Sequence, residues 1–298
     1  MELSKRHISI IGGGAVGTAL GILAARAGWP VAAVGGRDPG RTARAAEAIS
    51  PQTRPCSIVE AAGGEIVLLT VSDDAIEQVC TELAQRRAFT TGSIVAHCSG
   101  ALDSSMLAAA RQVCGCFVAS MHPLQTFPSA GAAVAALPGT YFFCEGDEAA
   151  LAVLEPLIAD IGGTGVRLAA GGKAKAMYHA AAVMACNYLT TLIDAAVELM
   201  DRAGAGREKA LAALEPLIRA TIDNIAATGP AAALTGPIAR GNFRTVRRHL
   251  DALAGAGEVD ALYRAAGRAT ADLARRRGSI DQAAWQALIE LLAPRSDE

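Results

Sequence analysis

Short runs of aliphatic and β-branched residues alternate with amphipathic or Ala-rich stretches through the first half of the chain. His7 to Ile11 predicts a strand, followed by a glycine-rich turn and an apolar helix to about Ala27, with Gly28 as its C-cap. Val31 to Val34 is a second strand and Arg41 to Ile49 a second helix. Glu65 to Val71 is a third strand, apolar enough to be buried on both faces, and Asp73 to Leu83 is the helix after it. Ser93 to His97, Phe117 to Met121 and Tyr141 to Cys144 complete the strands, with helical segments at Met106 to Arg111 and Ala149 to Ile161. This alternation predicts a parallel sheet covered by helices on both faces.

Near residue 165 the strand signals stop. Helical stretches continue at roughly 173–203, 207–227, 243–254, 258–276 and 280–292. The expected organisation is therefore an α/β domain over residues 1–165 and an all-α domain over 166–298, with Pro294 to Glu298 a frayed tail. Hydrophobic residues make up 52% of the 298 positions and charged residues 19%, which excludes a disordered chain. A net charge of −2 lacks the basic excess of a generic nucleic-acid binder. The cysteine count is seven, odd and without a CxxC pair, which fits a reduced, cytoplasmic chain. Cys114-x-Cys116 has no nearby His pair, so no metal centre is expected. Residues 8–25 carry no charge and follow Lys5 and Arg6, as a leader or short membrane span would. Five glycines break that run (Gly12, Gly13, Gly14, Gly17 and Gly21) and a phosphate loop accounts for them better, so no membrane partner is expected.

Gly12-Gly13-Gly14-Ala15-Val16-Gly17 fits GxGxxG, with a strand before it, a helix after it and a second strand ending near residue 35. That context predicts a Rossmann-type dinucleotide turn. Gly12 permits the tight turn, Gly14 lets backbone N–H groups approach a pyrophosphate, and Gly17 lets helix and strand pack closely. Ala15 and Val16 open the helix whose positive end faces the anion. After the second strand, Val34-Gly35-Gly36-Arg37 lacks the acid that an NAD enzyme uses on the ribose. Arg37 stands ready to pair with a 2′-phosphate, with Arg41 adding charge, so NADP(H) is preferred. The alternative is a solvated Arg37, with Asp38 binding the ribose. The third strand ends in Thr70-Val71-Ser72-Asp73-Asp74; Val71 and Ser72 are expected beneath the nicotinamide half, with Ser72 or Asp73 also suited to capping the next helix.

The fourth strand runs into His97-Cys98-Ser99-Gly100-Ala101 and the fifth into Met121-His122-Pro123-Leu124-Gln125-Thr126-Phe127, both at strand C-termini where open α/β sheets bind ligands. Lys175 and His179 are i,i+4 on a predicted helix and share a face. Asn187 lies twelve residues past Lys175, about 120° round the helix and about 18 Å along it, so the two do not reach the same atom. Further on stands Leu234-Thr235-Gly236-Pro237-Ile238-Ala239-Arg240-Gly241-Asn242.

The Ser-Gly after the fourth strand, His-Pro-Leu-Gln-Thr-Phe and Thr-Gly-Pro-Ile-Ala-Arg-Gly together resemble bacterial proteins in which a Rossmann-like domain precedes a DUF2520-type domain. The likeness covers nearly the whole chain, although Asn242 stands where an Asp is expected. The wider superfamily includes β-hydroxyacid dehydrogenases, ketopantoate reductases and pyrroline-5-carboxylate reductases. The resemblance implies an NADPH-dependent reductase of a small 2-oxo acid, with ketopantoate as the named compound. An imine reductase of the pyrroline-5-carboxylate type and a non-catalytic NADP(H) sensor or scaffold are the alternatives. Lys175 and His179 resemble the Lys-x-x-x-Asn pair of the β-hydroxyacid dehydrogenases, with His in place of Asn. Either could polarise the carbonyl or supply the proton. His122, held extended by Pro123, is a candidate for substrate or cofactor contact. Ser99 could bond a substrate carboxylate or hydroxyl beside the open backbone of Gly100. Asn187 and Arg240 are candidate substrate contacts, Arg240 as a carboxylate clamp. Each has a structural alternative: a solvated Lys, a His bonded to backbone, a bridging Asn, a salt-bridged Arg. The site is expected in the cleft between the domains, and the assembly, by analogy, is a homodimer.

Overall fold

The computed structural model describes residues 5–169 and 171–295, so residues 296–298 of the tail lie outside the described residues. The chain divides into two compact units, Met1–Asn187 and Tyr188–Glu298.

In the first unit, strands β1 (Ile8–Ile11), β2 (Val31–Gly35), β3 (Arg54–Cys56), β4 (Ile66–Leu69), β5 (Ile94–His97), β6 (Phe117–Pro123), β7 (Tyr141–Gly146) and β8 (Thr164–Arg167) form one sheet. Its order is β3-β2-β1-β4-β5-β6-β7-β8. The chain winds outward from β1 through β2 to β3, then returns to pair β4 on the other side of β1. That reversal opens a crevice at the carboxyl ends of β1 and β4. Side chains alternate across the sheet. Ile8, Ile10, Ile66 and Leu68 pack with helices α1 (Ala15–Arg26) and α2 (Pro39–Ile49). Ile11, Val67 and Leu69 face the opposite layer of α3 (Ile58–Ala61), α4 (Asp73–Gln85) and α5 (Ala108–Cys114). Helices α6 (Ala130–Ala136) and α7 (Glu148–Asp160) join the first layer.

The fold departs from the expected one at the sheet's far side. Strand β7 runs antiparallel to β6, not parallel. The Leu124 N–H donates to the Tyr141 carbonyl at 2.9 Å, so the chain leaving β6 re-enters at the same end. Both edge strands escape the sequence pattern because each is short and carries no apolar run. Strand β3 has three residues with Pro55 in the middle, and β8 is Thr-Gly-Val-Arg, mostly exposed. Arg167 at the end of β8 is paired with Glu148 and Glu155.

Helix α8 (Gly172–Ala185) falls within the first unit. The single helix expected over 173–203 bends at Cys186 (φ −115°, ψ −67°) into α8 and α9 (Asn187–Arg202). Together they form a run, Gly172–Arg202, long and apolar enough by length and composition to cross a membrane. The second unit continues with α10 (Arg207–Thr228), α11 (Pro230–Ala233), α12 (Phe243–Ala252), α13 (Glu258–Arg277) and α14 (Gln282–Leu291). Val246, Leu250, Ala271, Ala274, Leu288 and Leu292 form its core. Asn242 caps α12, its side chain accepting the Thr245 N–H at 3.1 Å. Asn and Asp cap about equally well, so the departure at this position keeps the local geometry. Among the described residues no disulfide joins any of the seven cysteines.

Candidate active site

The glycine turn leaves β1 and makes one wall of a pocket of about 630 Å³. Gly12 has φ +115°, and a Cβ there would lie 2.7 Å from the Thr70 carbonyl oxygen. A Cβ on Gly17 would lie 2.3 Å from Thr70 Oγ1, which itself donates to the Gly12 carbonyl at 2.7 Å. Both positions therefore need glycine to let the loop and α1 close onto the end of β4. Helix α1 starts at Ala15 after Gly14, with no side chain capping it and no acid in its first turn. Its first N–H groups point outward for an anion. Val16 packs on the core, and Gly17 sits buried beneath the turn.

Gly12, Gly14, Arg37, Val71 and Ser72 line this one pocket together with Asp38 and Arg41. The Arg41 Nε–H donates to the Gly13 carbonyl at 3.1 Å, which turns its guanidinium toward the loop. Asp38 is engaged as the N-cap of α2, accepting the Arg41 N–H at 3.0 Å. That bond holds its carboxyl below the ordinary range. Ser72 stands at the N-cap of α4 but makes no side-chain bond to the helix, which leaves its hydroxyl for a ligand. A glycine cradle, free N–H groups and two guanidinium side chains fit a phosphorylated dinucleotide.

A second pocket of about 600 Å³ lies among β6, β7 and α8, lined by His122, Gln125, Phe143, Tyr178, His179 and Asn187 among others. His122 is within β6, paired with Phe143, because the strand runs on through Pro123 instead of stopping at Met121. Its Nδ1 is 2.6 Å from the Tyr178 hydroxyl. Tyr178 stacks on Phe143 with ring centroids 4.3 Å apart. Tyr178 was missed as a site residue. Its only signal was its place three residues after Lys175 on the same helix.

His122 and His179 converge on Gly100. A Cβ there would lie 2.6 Å from His179 Nδ1 and 2.9 Å from His122 Nε2. His179 Nδ1 is buried without a hydrogen-bond partner among the described residues. Ser99 turns its hydroxyl inward, where it accepts the N–H groups of Ala101 (3.2 Å) and Leu102 (3.1 Å). Lys175, expected to share the substrate-facing side with His179, is fully buried instead, and its Nζ donates to Ser120 Oγ at 2.7 Å. Helical spacing put the two residues on one side of α8. It could not show that β6 and the Ser99 turn close over the lysine. Arg240 lies exposed in a turn of the second unit.

Burial pushes both His97 and His122 down to about 4. For His97 the geometry fixes the tautomer: Nδ1 accepts the Ser99 N–H at 3.2 Å, so Nε2–H donates to the Asp103 carbonyl at 3.0 Å. Between about pH 6.5 and 4 both rings stay neutral in the folded protein while the unfolded chain binds protons. Stability is therefore fully present above about pH 6.5 and is lost as the pH falls toward 4. Thermal unfolding between pH 8 and 4.5 is expected to show a falling Tm below that point, and a level Tm would contradict it.

Residues 1–123 match the family model of a Rossmann-like domain, and residues 140–270 match a domain of unknown function, DUF2520. No curated protein matches the chain. Among solved structures, a proposed NADP oxidoreductase from Bacteroides fragilis aligns over 90% of this chain and 98% of its own, with TM-score 0.69 and 19% identity. A protein from Thermotoga maritima aligns over 91% and 99%, with TM-score 0.70 and 22% identity. An imine reductase from a Pseudomonas species aligns over 96% and 92%, with TM-score 0.59 and 17% identity. At these identities the likeness is one of fold.

Proposed function

Because the chain joins a Rossmann-like domain to a DUF2520 domain, we propose that it is an NADP(H)-dependent oxidoreductase. Its proposed reaction is reduction of the carbonyl of a small 2-oxo acid of the ketopantoate kind. One observation carries the reading: a glycine turn flanked by Arg37 and Arg41 shares a unit with a His122–Tyr178 pair beside a pocket. The fold shared with a proposed NADP oxidoreductase and an imine reductase supports it.

NADPH, when bound, supplies the hydride. The chain does the rest. Backbone N–H groups at the start of α1 would hold the pyrophosphate, and Arg37 and Arg41 would hold the 2′-phosphate. Burial keeps His122 neutral and pushes the Tyr178 hydroxyl above its usual range, so the pair holds one ring proton and one phenolic proton. One of these passes to the substrate oxygen as charge develops there, from Tyr178 Oη or His122 Nε2 according to the tautomer. The bond that His179 Nδ1 lacks in the free protein orients the reacting group. Gly100 lies against both histidine rings. The carboxylate of a 2-oxo acid calls for a cation.

A second reading, reduction of a cyclic imine, is favoured by one feature. Among the described residues no Lys or Arg lines the His122 pocket, and an imine nitrogen needs a proton more than it needs a cation. The test is a fluorescence titration with NADPH and NADH, followed by turnover with 2-oxo acids and cyclic imines side by side. NADPH binding at least about tenfold tighter than NADH (about 1.4 kcal/mol), with 2-oxo acids reduced faster, is the expected result. Binding without turnover of either class would leave a sensor or scaffold. Absence of binding would overturn the reading.

The proposed assembly is a homodimer in a reducing compartment. Met177 and Met184 on α8 are 65% and 66% exposed, and Leu211 and Leu217 on α10 are 52% and 64% exposed. Apolar side chains of this size seek cover. Sedimentation at micromolar concentration should give twice the 30.4 kDa chain mass. A monomer would remove the proposal.

A further inference from the structure

We propose that Lys175 is a positioning residue: through Ser120 it holds the Ser99–Gly100 turn on which His122 and His179 converge, and it does not itself touch substrate. The inference rests on the oxidoreductase reading and assigns this lysine a place within it.

The first ground is enclosure. Lys175 has no exposed surface and is absent from the lining of the His122 pocket. Among the described residues no carboxylate lies within ion-pair distance of it. The buried carboxylate of this region, Glu145, is taken up by the backbone N–H (2.7 Å) and hydroxyl (2.8 Å) of Ser104. A buried ammonium without a directly paired carboxylate is costly. A methionine would fill much the same volume without that cost, so the charge and the donors of Lys175 are what this position uses.

The second ground is the direction of the hydrogen bonds. An ammonium only donates, so the Ser120 hydroxyl accepts from Lys175 Nζ at 2.7 Å and must turn its own proton elsewhere. Its acceptor is the Ser99 carbonyl, at 3.5 Å. The other polar atoms of Ser99 are held as well. Its N–H donates to His97 Nδ1, and its hydroxyl accepts from Ala101 and Leu102. The Ser120–Lys175 chain is thus what restrains the carbonyl of the Ser99–Gly100 peptide. Rotation of that peptide would move Gly100, against which a single added carbon would already touch both histidine rings.

The third ground is electrostatic. After burial, the Lys175 charge is the next largest influence holding His122 in its neutral form. Removing the charge, without touching the ring, should make His122 easier to protonate.

The test compares Lys175→Met and Ser120→Ala with the wild-type protein. In Lys175→Met, NMR should show the His122 ring titrating at higher pH and the Gly100 amide resonance displaced. The NADPH Kd should stay within about twofold, and kcat should fall about 10- to 100-fold, as misplacement of the site demands. Ser120→Ala keeps the ammonium and loses the link, so it should displace the Gly100 resonance and lower kcat by a smaller factor. If Lys175→Met does not fold, Ser120→Ala carries the test alone. Wild-type resonances and kcat in Ser120→Ala would overturn the proposal. So would restoration of Lys175→Ala turnover by added ethylammonium while the Gly100 resonance stays in its wild-type place, because the lysine would then be acting on substrate. A wild-type protein that reduces nothing would sink the oxidoreductase reading, yet the NMR comparison would still decide whether Lys175 holds the turn.

Discussion

Gly100→Ala is expected to lower kcat on the order of 100-fold while the NADPH Kd stays within about twofold. The added methyl carbon would sit 2.6 Å from His179 Nδ1 and 2.9 Å from His122 Cε1 and Nε2, closer than side-chain carbons are found. Neither ring has an easy retreat. His122 is tied to the Tyr178 hydroxyl at 2.6 Å and sits on a strand, and His179 is fixed by α8. Relief must come from the turn or from a tilt of both rings, and a displacement of about 1 Å is enough for a loss of that size. The glycine turn, built from β1, α1 and β4, has no part in the clash. Gly131→Ala is the control, because nothing lies within 4 Å of a Cβ at that position. Stopped-flow turnover with the substrate found in the screen provides the measurement. A Gly100→Ala enzyme with wild-type kcat would show that the histidines do not converge on the reacting group.

The second large effect concerns the choice of cofactor. Arg37→Ala is expected to weaken NADPH about 10- to 100-fold and leave NADH within about twofold. A charge-assisted hydrogen bond to phosphate is worth about 1.5–3 kcal/mol, and NADH has no 2′-phosphate to lose it on. Arg41→Ala should behave differently. Its side chain also supports the loop through the Gly13 carbonyl, so it should weaken both nucleotides. Isothermal titration of the two variants with both cofactors separates these roles. Equal loss of NADPH and NADH in Arg37→Ala would mean that this residue shapes the loop and does not read the phosphate.

Much of this arrangement was legible in the sequence because periodicity and turn chemistry are local. The full burial of Ile8, Ile10 and Ile11 follows from the apolar run of the strand, and GxGxxG between strand and helix located the glycine turn that lines the first pocket. The helix expected at 258–276 occupies Glu258–Arg277. What the sequence withheld is long-range. The direction of β7 depends on where the chain re-enters after α6, which no run of residues encodes. The burial of Lys175 depends on Ser120, 55 positions away. Tyr178 gains its meaning only from His122, 56 positions away. Asn242 replaced an expected Asp without consequence for its turn, because capping needs an acceptor and not a charge.

The two ends of the sheet bear on how this protein behaves in crowded solution. An open sheet is a template, and each unpaired edge invites another chain to dock. Strand β3 meets that hazard with Pro55, which has no N–H to offer and interrupts any ladder after three residues. Strand β8 meets it with Arg167, its guanidinium clasped by Glu148 and Glu155 of α7. Polymerisation through the sheet is blocked at one edge by a missing donor and at the other by a clamped charge.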